Sequence, residues 1–180
     1  EKYLSYTKLD AEGKPLWLKD ARGNYVMVYG ANTDNNAHIM KKSELAVLQP
    51  AIDKGDIKIV ADQFIDNWAP DEALKFAENA LTSNSDNVQA FVASNDGMAG
   101  GVIEALSSRK LAGKVIVTGQ DAGLAALQNI AEGKQSMTVY KPIIPLATKA
   151  LETAVKLAKK EPLTDVKPFM NDAIKKEVPA

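Results

Sequence analysis

Two hydrophobic rhythms alternate along this chain. Five short apolar runs, rich in β-branched or aromatic residues and bounded by turn residues, read as buried strands. They cover residues 25–29, closed by Gly30; 57–61, opened by Lys54-Gly55-Asp56; 89–93; 114–118, after Gly113; and 137–140, after Gly133. Between them the apolar residues recur with helical spacing. Ala73, Leu74, Ala77 and Leu81 share one face, with Pro70 in a first helical turn. Ala99, Val102, Ile103 and Leu106 repeat at i, i+3, i+4, i+7. Leu124, Leu127 and Ala131 form a third stripe, and Ile143, Ala147, Ala150, Leu151, Ala154 and Ala158 the longest. Residues 36–48 are helical with a less regular stripe. Strands that alternate with crossover helices run parallel and carry helices on both sides. The predicted fold class is therefore α/β, a doubly wound parallel sheet of five main strands with helices on both faces. The residues before Gly23 read as irregular, with turns at 10–15 and 21–24, and no repeat or linker interrupts the rest.

Composition narrows this without redirecting it. The chain has 180 residues, enough for one domain or two small ones. Its 46% apolar and 25% charged residues are those of an ordinary globular protein. The formal net charge of 22 − 23 = −1 gives no electrostatic footprint for nucleic acid or anionic lipid. No run of about 18 apolar residues is present, so no transmembrane helix is expected. With no cysteine there is no disulfide, no thiolate zinc site and no thiol nucleophile. The N-terminus lacks both an initiator Met and the basic-then-apolar layout of a signal peptide, so a processed or excised piece is expected.

In an open parallel sheet, ligands bind beyond the carboxyl ends of the strands. Those ends read Ala31-Asn32-Thr33-Asp34-Asn35-Asn36, Gln63-Phe64-Ile65-Asp66-Asn67-Trp68, Ser94-Asn95-Asp96-Gly97, Gly119-Gln120-Asp121-Ala122-Gly123 and Lys141-Pro142. Carboxylates and amides can bridge neighbouring hydroxyls, and an indole face covers the C–H side of a ring. Such a rim suits a small uncharged polyol such as a monosaccharide. An anionic ligand would call for Arg or a glycine-rich loop, and the two arginines, Arg22 and Arg109, follow no strand.

Each of these residues also has an ordinary structural role. Asp34, Asp96 and Asp121 precede helices and could be N-caps; Asp96 is read as one, because Gly97 follows it and Asn95 sits better at the strand end. Trp68 could staple the next helix, and Lys141 could point to solvent. His38, the only histidine, is read as structural or surface, and without a second His or a Cys a transition-metal site is not expected. Gly97, Gly100 and Gly101 do not make a dinucleotide fingerprint and are read as permitting close helix packing. No phosphate-binding loop and no G-x-S-x-G is present, so neither a cofactor nor nucleophilic hydrolysis is expected.

Five stretches together resemble the xylose receptors among the solute-binding proteins of bacterial ABC sugar importers, which have the type I periplasmic-binding fold. They are Thr33-Asp34-Asn35-Asn36-Ala37, Asp66-Asn67-Trp68-Ala69-Pro70, Ala93-Ser94-Asn95-Asp96, Gly119-Gln120-Asp121-Ala122 and Thr138-Val139-Tyr140-Lys141-Pro142. The resemblance implies that Asp34, Asn36, Asn95, Asp121 and Lys141 hydrogen-bond a pentose, D-xylose foremost, and that Trp68 stacks on it. It implies no enzyme activity, no cofactor, and a periplasmic location, or an outer-surface lipoprotein in a single-membrane organism. Such receptors close two lobes on the sugar and are recognised by the importer's membrane subunits. Nothing here matches the first lobe, which brings an arginine and further aromatics. Residues 23–180 are accordingly expected to be the C-terminal sugar-binding lobe and 1–22 a segment following the hinge, longer than is usual in the family. A natural single-lobe paralogue is the alternative.

Two other classes share the pattern. A phosphoacceptor receiver domain also repeats β-α five times, and Asp34, Asp96, Thr118 and Lys141-Pro142 imitate its acids, hydroxyl and lysine; Trp68 and Asn95 have no role in it. The sugar-sensing lobe of a transcriptional regulator or membrane sensor has the same fold, but no helix-turn-helix segment is present.

Overall fold

A computed structural model describes residues 4–7, 22–163, 168–171 and 176–179, with side chains over 22–163. The chain forms two compact units, Glu1–Lys141 and Pro142–Ala180. In the first, the elements run β1 (Leu4–Thr7), β2 (Gly23–Tyr29), α1 (Asn35–Asp53), β3 (Ile57–Phe64), a 3-10 turn (Asp66–Trp68), α2 (Pro70–Ser83), β4 (Ala90–Ala93), α3 (Asp96–Ser108), β5 (Ile116–Val117), α4 (Leu124–Ala131) and β6 (Met137–Tyr140). The second holds α5 (Ile143–Ala158), where the longest apolar stripe predicts it, and the antiparallel hairpin of β7 (Pro168–Asn171) and β8 (Lys176–Pro179).

The sheet order is β3-β2-β4-β5, all parallel. The chain moves from β2 outward to β3, then crosses back to build β4 and β5 on the other side. This places the topological switch point between β2 and β4, the position at which doubly wound sheets open a crevice.

Val26 and Val28 of β2 point to one face with Phe91, Ala93 and Val117, and meet Ala73, Ala77 and Leu81 of α2 and Ala99, Val102 and Leu106 of α3. Tyr25, Ile57 and Ala90 point to the other face and meet Leu48, Ala51 and Ile52 of α1. The period-2 alternation of the strands thus sorts helices onto both faces. At Gly101 a Cβ would overlap the Pro70 carbonyl, so α3 and the start of α2 touch through backbone, whereas Gly100 faces open space; of that glycine cluster, Gly101 serves close packing and Gly100 does not.

Several elements differ from the sequence reading. β3 runs on to Phe64, past polar Asp62 and Gln63, because it is an edge strand: its ladder to β2 continues through Tyr29↔Phe64. Lys41 pairs with Asp62 at 3.0 Å and lies over the Tyr29 and Phe64 rings. β5 shrinks to Ile116–Val117, since side-chain hydroxyls replace ladder groups: Ser136 Oγ accepts from Val117 N at 3.1 Å and Thr118 Oγ1 from Ala93 N at 3.2 Å. β6 consequently joins the sheet by a single parallel bridge, Gln120↔Val139, and its main pairing is antiparallel with β1. That pairing makes residues 4–7 a strand within the stretch read as irregular; too short to announce itself, β1 exists through a partner 130 or more positions away. The turn at 10–15 lies outside the described residues. The inward face of α4 is Ala126 and Ile130, while Leu124 and Ala131 are exposed, so the stripe read there is turned outward.

Candidate functional site

Beyond the carboxyl ends of the strands opens a cavity of about 490 Å³, lined by Asp34, Asn36, Ile39, Met40, Trp68, Asn95, Gln120, Asp121 and Lys141. Its size is that of a small-molecule site. All strand ends contribute, and the cavity straddles the switch point: Asp34 and Asn36 follow β2, and Asn95 follows β4.

Two of these residues are helix N-caps. Asp34 Oδ1 accepts from Asn36 N at 2.8 Å at the start of α1. Asn95 Oδ1 accepts from Met98 N at 2.9 Å at the start of α3. Such caps stabilise a helix by about 1 kcal/mol each. Each leaves the far side of its headgroup for the cavity: one carboxylate oxygen of Asp34, the amide N–H groups of Asn95.

The cap of α3 is Asn95 and not Asp96, where the sequence places it. Asp96 is the first residue inside the helix, and its carboxylate turns away from the helix end to accept from Thr138, Gln135 and Gly123. The strand end leaves Asn95 extended, with φ −149, which is the conformation a cap requires. Asp121 is not a cap either; Gly123 holds that position before α4. Asp121 instead forms an ion pair with Lys141, Oδ1 to Nζ 2.6 Å, joining the ends of β5 and β6. Both side chains are partly exposed, at 41% and 36%, so they remain open to the cavity.

Trp68 is placed by its backbone. Asn67 and Trp68 both have left-handed φ, 53° and 56°, and such positions cost about 1–3 kcal/mol each unless the surroundings hold them. What holds them is Gly30: a Cβ there would overlap the indole, so the ring lies directly on the backbone at the end of β2. Trp68 also packs against the α2–α3 core and keeps one side on the cavity. Asp121 and Ala122 are the second left-handed pair at the rim, with φ 112° and 57°.

Under the rim, Glu44 of α1 accepts from Ser94 Oγ at 3.3 Å, one residue before Asn95, while its Oε2 is buried without a hydrogen-bond partner. Burial pushes its carboxyl up from 4.5 to about 7, opposed by the Ser94 bond. His38 sits on the surface, Nε2 2.8 Å from Asn32 O and its ring against Phe64, consistent with a structural role. Among the described residues no group of three or more His, Cys, Asp or Glu is arranged to hold a metal ion. No described helix is long and apolar enough to cross a membrane.

Ile39, Met40 and Gln120 were not picked as site residues from the sequence. Ile39 and Met40 lie three and four positions after Asn36, so helical spacing puts them on the same face, and Gln120 adjoins Asp121.

A receiver domain needs its acid at the Asp96 position free. Here both oxygens are engaged, and the Thr118 hydroxyl is taken up by the β4 backbone.

The chain is 47% identical over 171 residues to the D-xylose-binding periplasmic protein of Haemophilus influenzae, covering 95% of this chain and 51% of that protein. It is 49% identical over 160 residues to the D-xylose-binding periplasmic protein of Escherichia coli, covering 88% and 48%. The chain thus spans about half the length of the curated relatives it matches. Among solved structures, a carbohydrate transporter solute binding protein from Chloroflexus aurantiacus in complex with D-glucose superposes with a TM-score of 0.76 at 30% identity, over 91% of this chain and 56% of that one. The sequence profile of the periplasmic binding protein domain matches residues 10–162, and the chain belongs to that family.

Proposed function

We propose that residues 23–180 form the C-terminal lobe of a periplasmic receptor that binds a monosaccharide, D-xylose foremost, between two lobes and delivers it to the membrane subunits of an ABC importer. Asp34, Asn36, Asn95, Asp121 and Lys141 hydrogen-bond its hydroxyls and ring oxygen, and Trp68 stacks on its C–H face. The observation that carries this reading is the cavity itself: one half-buried aromatic among carboxylate, amide and ammonium groups, drawn from the strand ends around the switch point. Asp34 and Asp121 accept from hydroxyls, Asn95 and Lys141 donate, and an ionised partner strengthens each bond. Asp121 and Lys141 neutralise one another, which leaves Asp34 as the one unpaired carboxylate of the described lining and suits an uncharged polyol that donates to it rather than an anion.

The protein acts by capture and release, without chemical change to the sugar. Its second lobe covers the opposite face of the ring, and closure of the two is the signal the membrane subunits read. A single lobe leaves one face of the sugar wet, so the 180-residue chain binds at about millimolar affinity or weaker, about −4 kcal/mol. The test is titration of the chain with a panel of pentoses and hexoses. Fluorescence is read in a Trp17→Phe background, so that Trp68 alone reports, and NMR shifts are followed at the rim amides. Saturable NMR shifts at the rim, strongest with D-xylose and weakened in Trp68→Ala, are expected together with a saturable change in Trp68 fluorescence. No rim shift with any sugar would overturn the reading, and micromolar affinity would show that a second lobe is dispensable.

A further inference from the structure

Asp96 ties together several segments of the rim, yet it is absent from the cavity lining. Its Oδ1 accepts from Thr138 Oγ1 at 2.7 Å and from Gln135 Nε2 at 3.0 Å; its Oδ2 accepts from Gly123 N at 2.9 Å. Its own backbone N–H donates to Gln120 O at 2.9 Å. Thr138 is fully buried and Gln135 nearly so. Four segments, the start of α3, the β5–α4 loop, the approach to β6 and β6 itself, therefore meet at one carboxylate.

The consequence falls on the left-handed pair Asp121-Ala122. Three successive N–H groups pin it: Asp121 N donates to Val139 O at 2.8 Å, Ala122 N to Thr138 Oγ1 at 3.1 Å, and Gly123 N to Asp96 Oδ2. Donation of its proton to Asp96 orients the Thr138 hydroxyl so that a lone pair faces Ala122 N. Two of the three anchors thus run to Asp96, one directly and one through Thr138. Gly119 fits the same arrangement, since a Cβ there would overlap Asp96 Oδ1. A strained conformation persists only where its surroundings over-determine it, and these bonds are what does so here.

We propose that Asp96 is the positioning residue of the site. Without touching the ligand, it holds residues 121–123 in the one conformation that presents the Asp121 carboxylate, paired with Lys141, next to Asn95. The part of this that concerns affinity rests on the reading of the cavity as a sugar site; the part that concerns the loop does not.

The experiment uses Asp96→Asn, Asp121→Ala and the double variant of the full chain, with Thr138→Val and Thr138→Ser as a second pair. Asn offers one acceptor oxygen where two are used, so one arm must open. Amide hydrogen exchange without sugar is expected to accelerate at Ala122 and Gly123 in Asp96→Asn, and at Ala122 in Thr138→Val but not Thr138→Ser. The core amides of Val102 and Leu106 stay protected. With D-xylose, Asp96→Asn is expected to weaken binding about tenfold, the loss of one charge-assisted bond's worth of ordering, and to add less than about twofold once Asp121 is Ala. Retained protection at Ala122 and Gly123, equal loss at Val102 and Leu106, or penalties that multiply in the double variant would each overturn the proposal. If the unmodified chain takes up no sugar, the binding reading fails by itself, and the exchange data still decide what Asp96 does to the loop.

Discussion

Glu44 should make the stability of this protein fall as pH rises through neutrality. Its carboxyl is buried under the rim, holds one hydrogen bond from Ser94, and leaves Oε2 without a partner. Burial raises its pKa from 4.5 to about 7. Between these values the folded protein holds a proton that the unfolded chain has released. The folded state binds more protons, so stability declines with pH over that window. Below 4.5 both states are protonated and the contribution is fully present; above about 7 both are ionised and it is gone. At about 1.4 kcal/mol per pH unit, the interval amounts to about 3 kcal/mol, a large share of an ordinary domain's 5–15 kcal/mol. Glu44→Gln keeps the shape and a donor and acceptor for Ser94 while removing the titration. Urea unfolding of both proteins from pH 4.5 to 8 gives two stability curves, whose difference cancels the groups they share. The variant should gain about 3 kcal/mol on the parent across that range, with the steepest change between pH 5 and 7. Parallel curves would refute the argument, and so would a gap that widens toward acid.

Gly30→Ala should push the Trp68 ring off its seat. Overpacking of this kind costs about 1–3 kcal/mol, seen as a lower urea midpoint, and Trp68 emission should shift to the red with weaker sugar binding. Gly101→Ala drives a methyl into the Pro70 carbonyl and should destabilise by a similar amount, about 1–3 kcal/mol, shifting the start of α2 and the Trp68 loop before it. Lys141→Met breaks a pair whose partners are more than a third exposed, so stability should change by less than about 1 kcal/mol. Sugar affinity, measured by NMR titration, should nevertheless drop clearly; a variant that loses stability instead of affinity would show the pair to be structural.

The alternation of strands and helices and the rim are legible because they rest on local signals. Each buried run is bracketed by turn residues, and once strands are parallel their carboxyl ends must face one way. The residues after them could therefore be gathered without knowing a single contact. What was illegible depends on distance along the chain. Asp96 looks like a cap in its local setting, with glycine behind it. Its true partners are 27, 39 and 42 residues away, and no local propensity encodes them. β1 was missed for the same reason, being a four-residue strand with a remote partner. The face of α4 was misjudged because two turns of helix give too short a stripe to fix its rotation; the anchored loop before it sets that instead. Ile39 and Met40 were within reach, as helical spacing from Asn36 points to them.

The caps at Asp34 and Asn95 have a consequence for stereochemistry. An asparagine side chain in water can rotate its amide by half a turn and trade a donor for an acceptor. Asn95 cannot do so without surrendering the Met98 bond and exposing the end of α3. Its corner of the cavity therefore offers donors only, and the Asp34 corner acceptors only. Two helices thus impose a fixed polarity on two vertices of the site. On the proposed sugar reading, a ring hydroxyl at the Asn95 vertex must accept and one at the Asp34 vertex must donate, so the scaffold fixes which way each hydroxyl turns before any side chain has adapted.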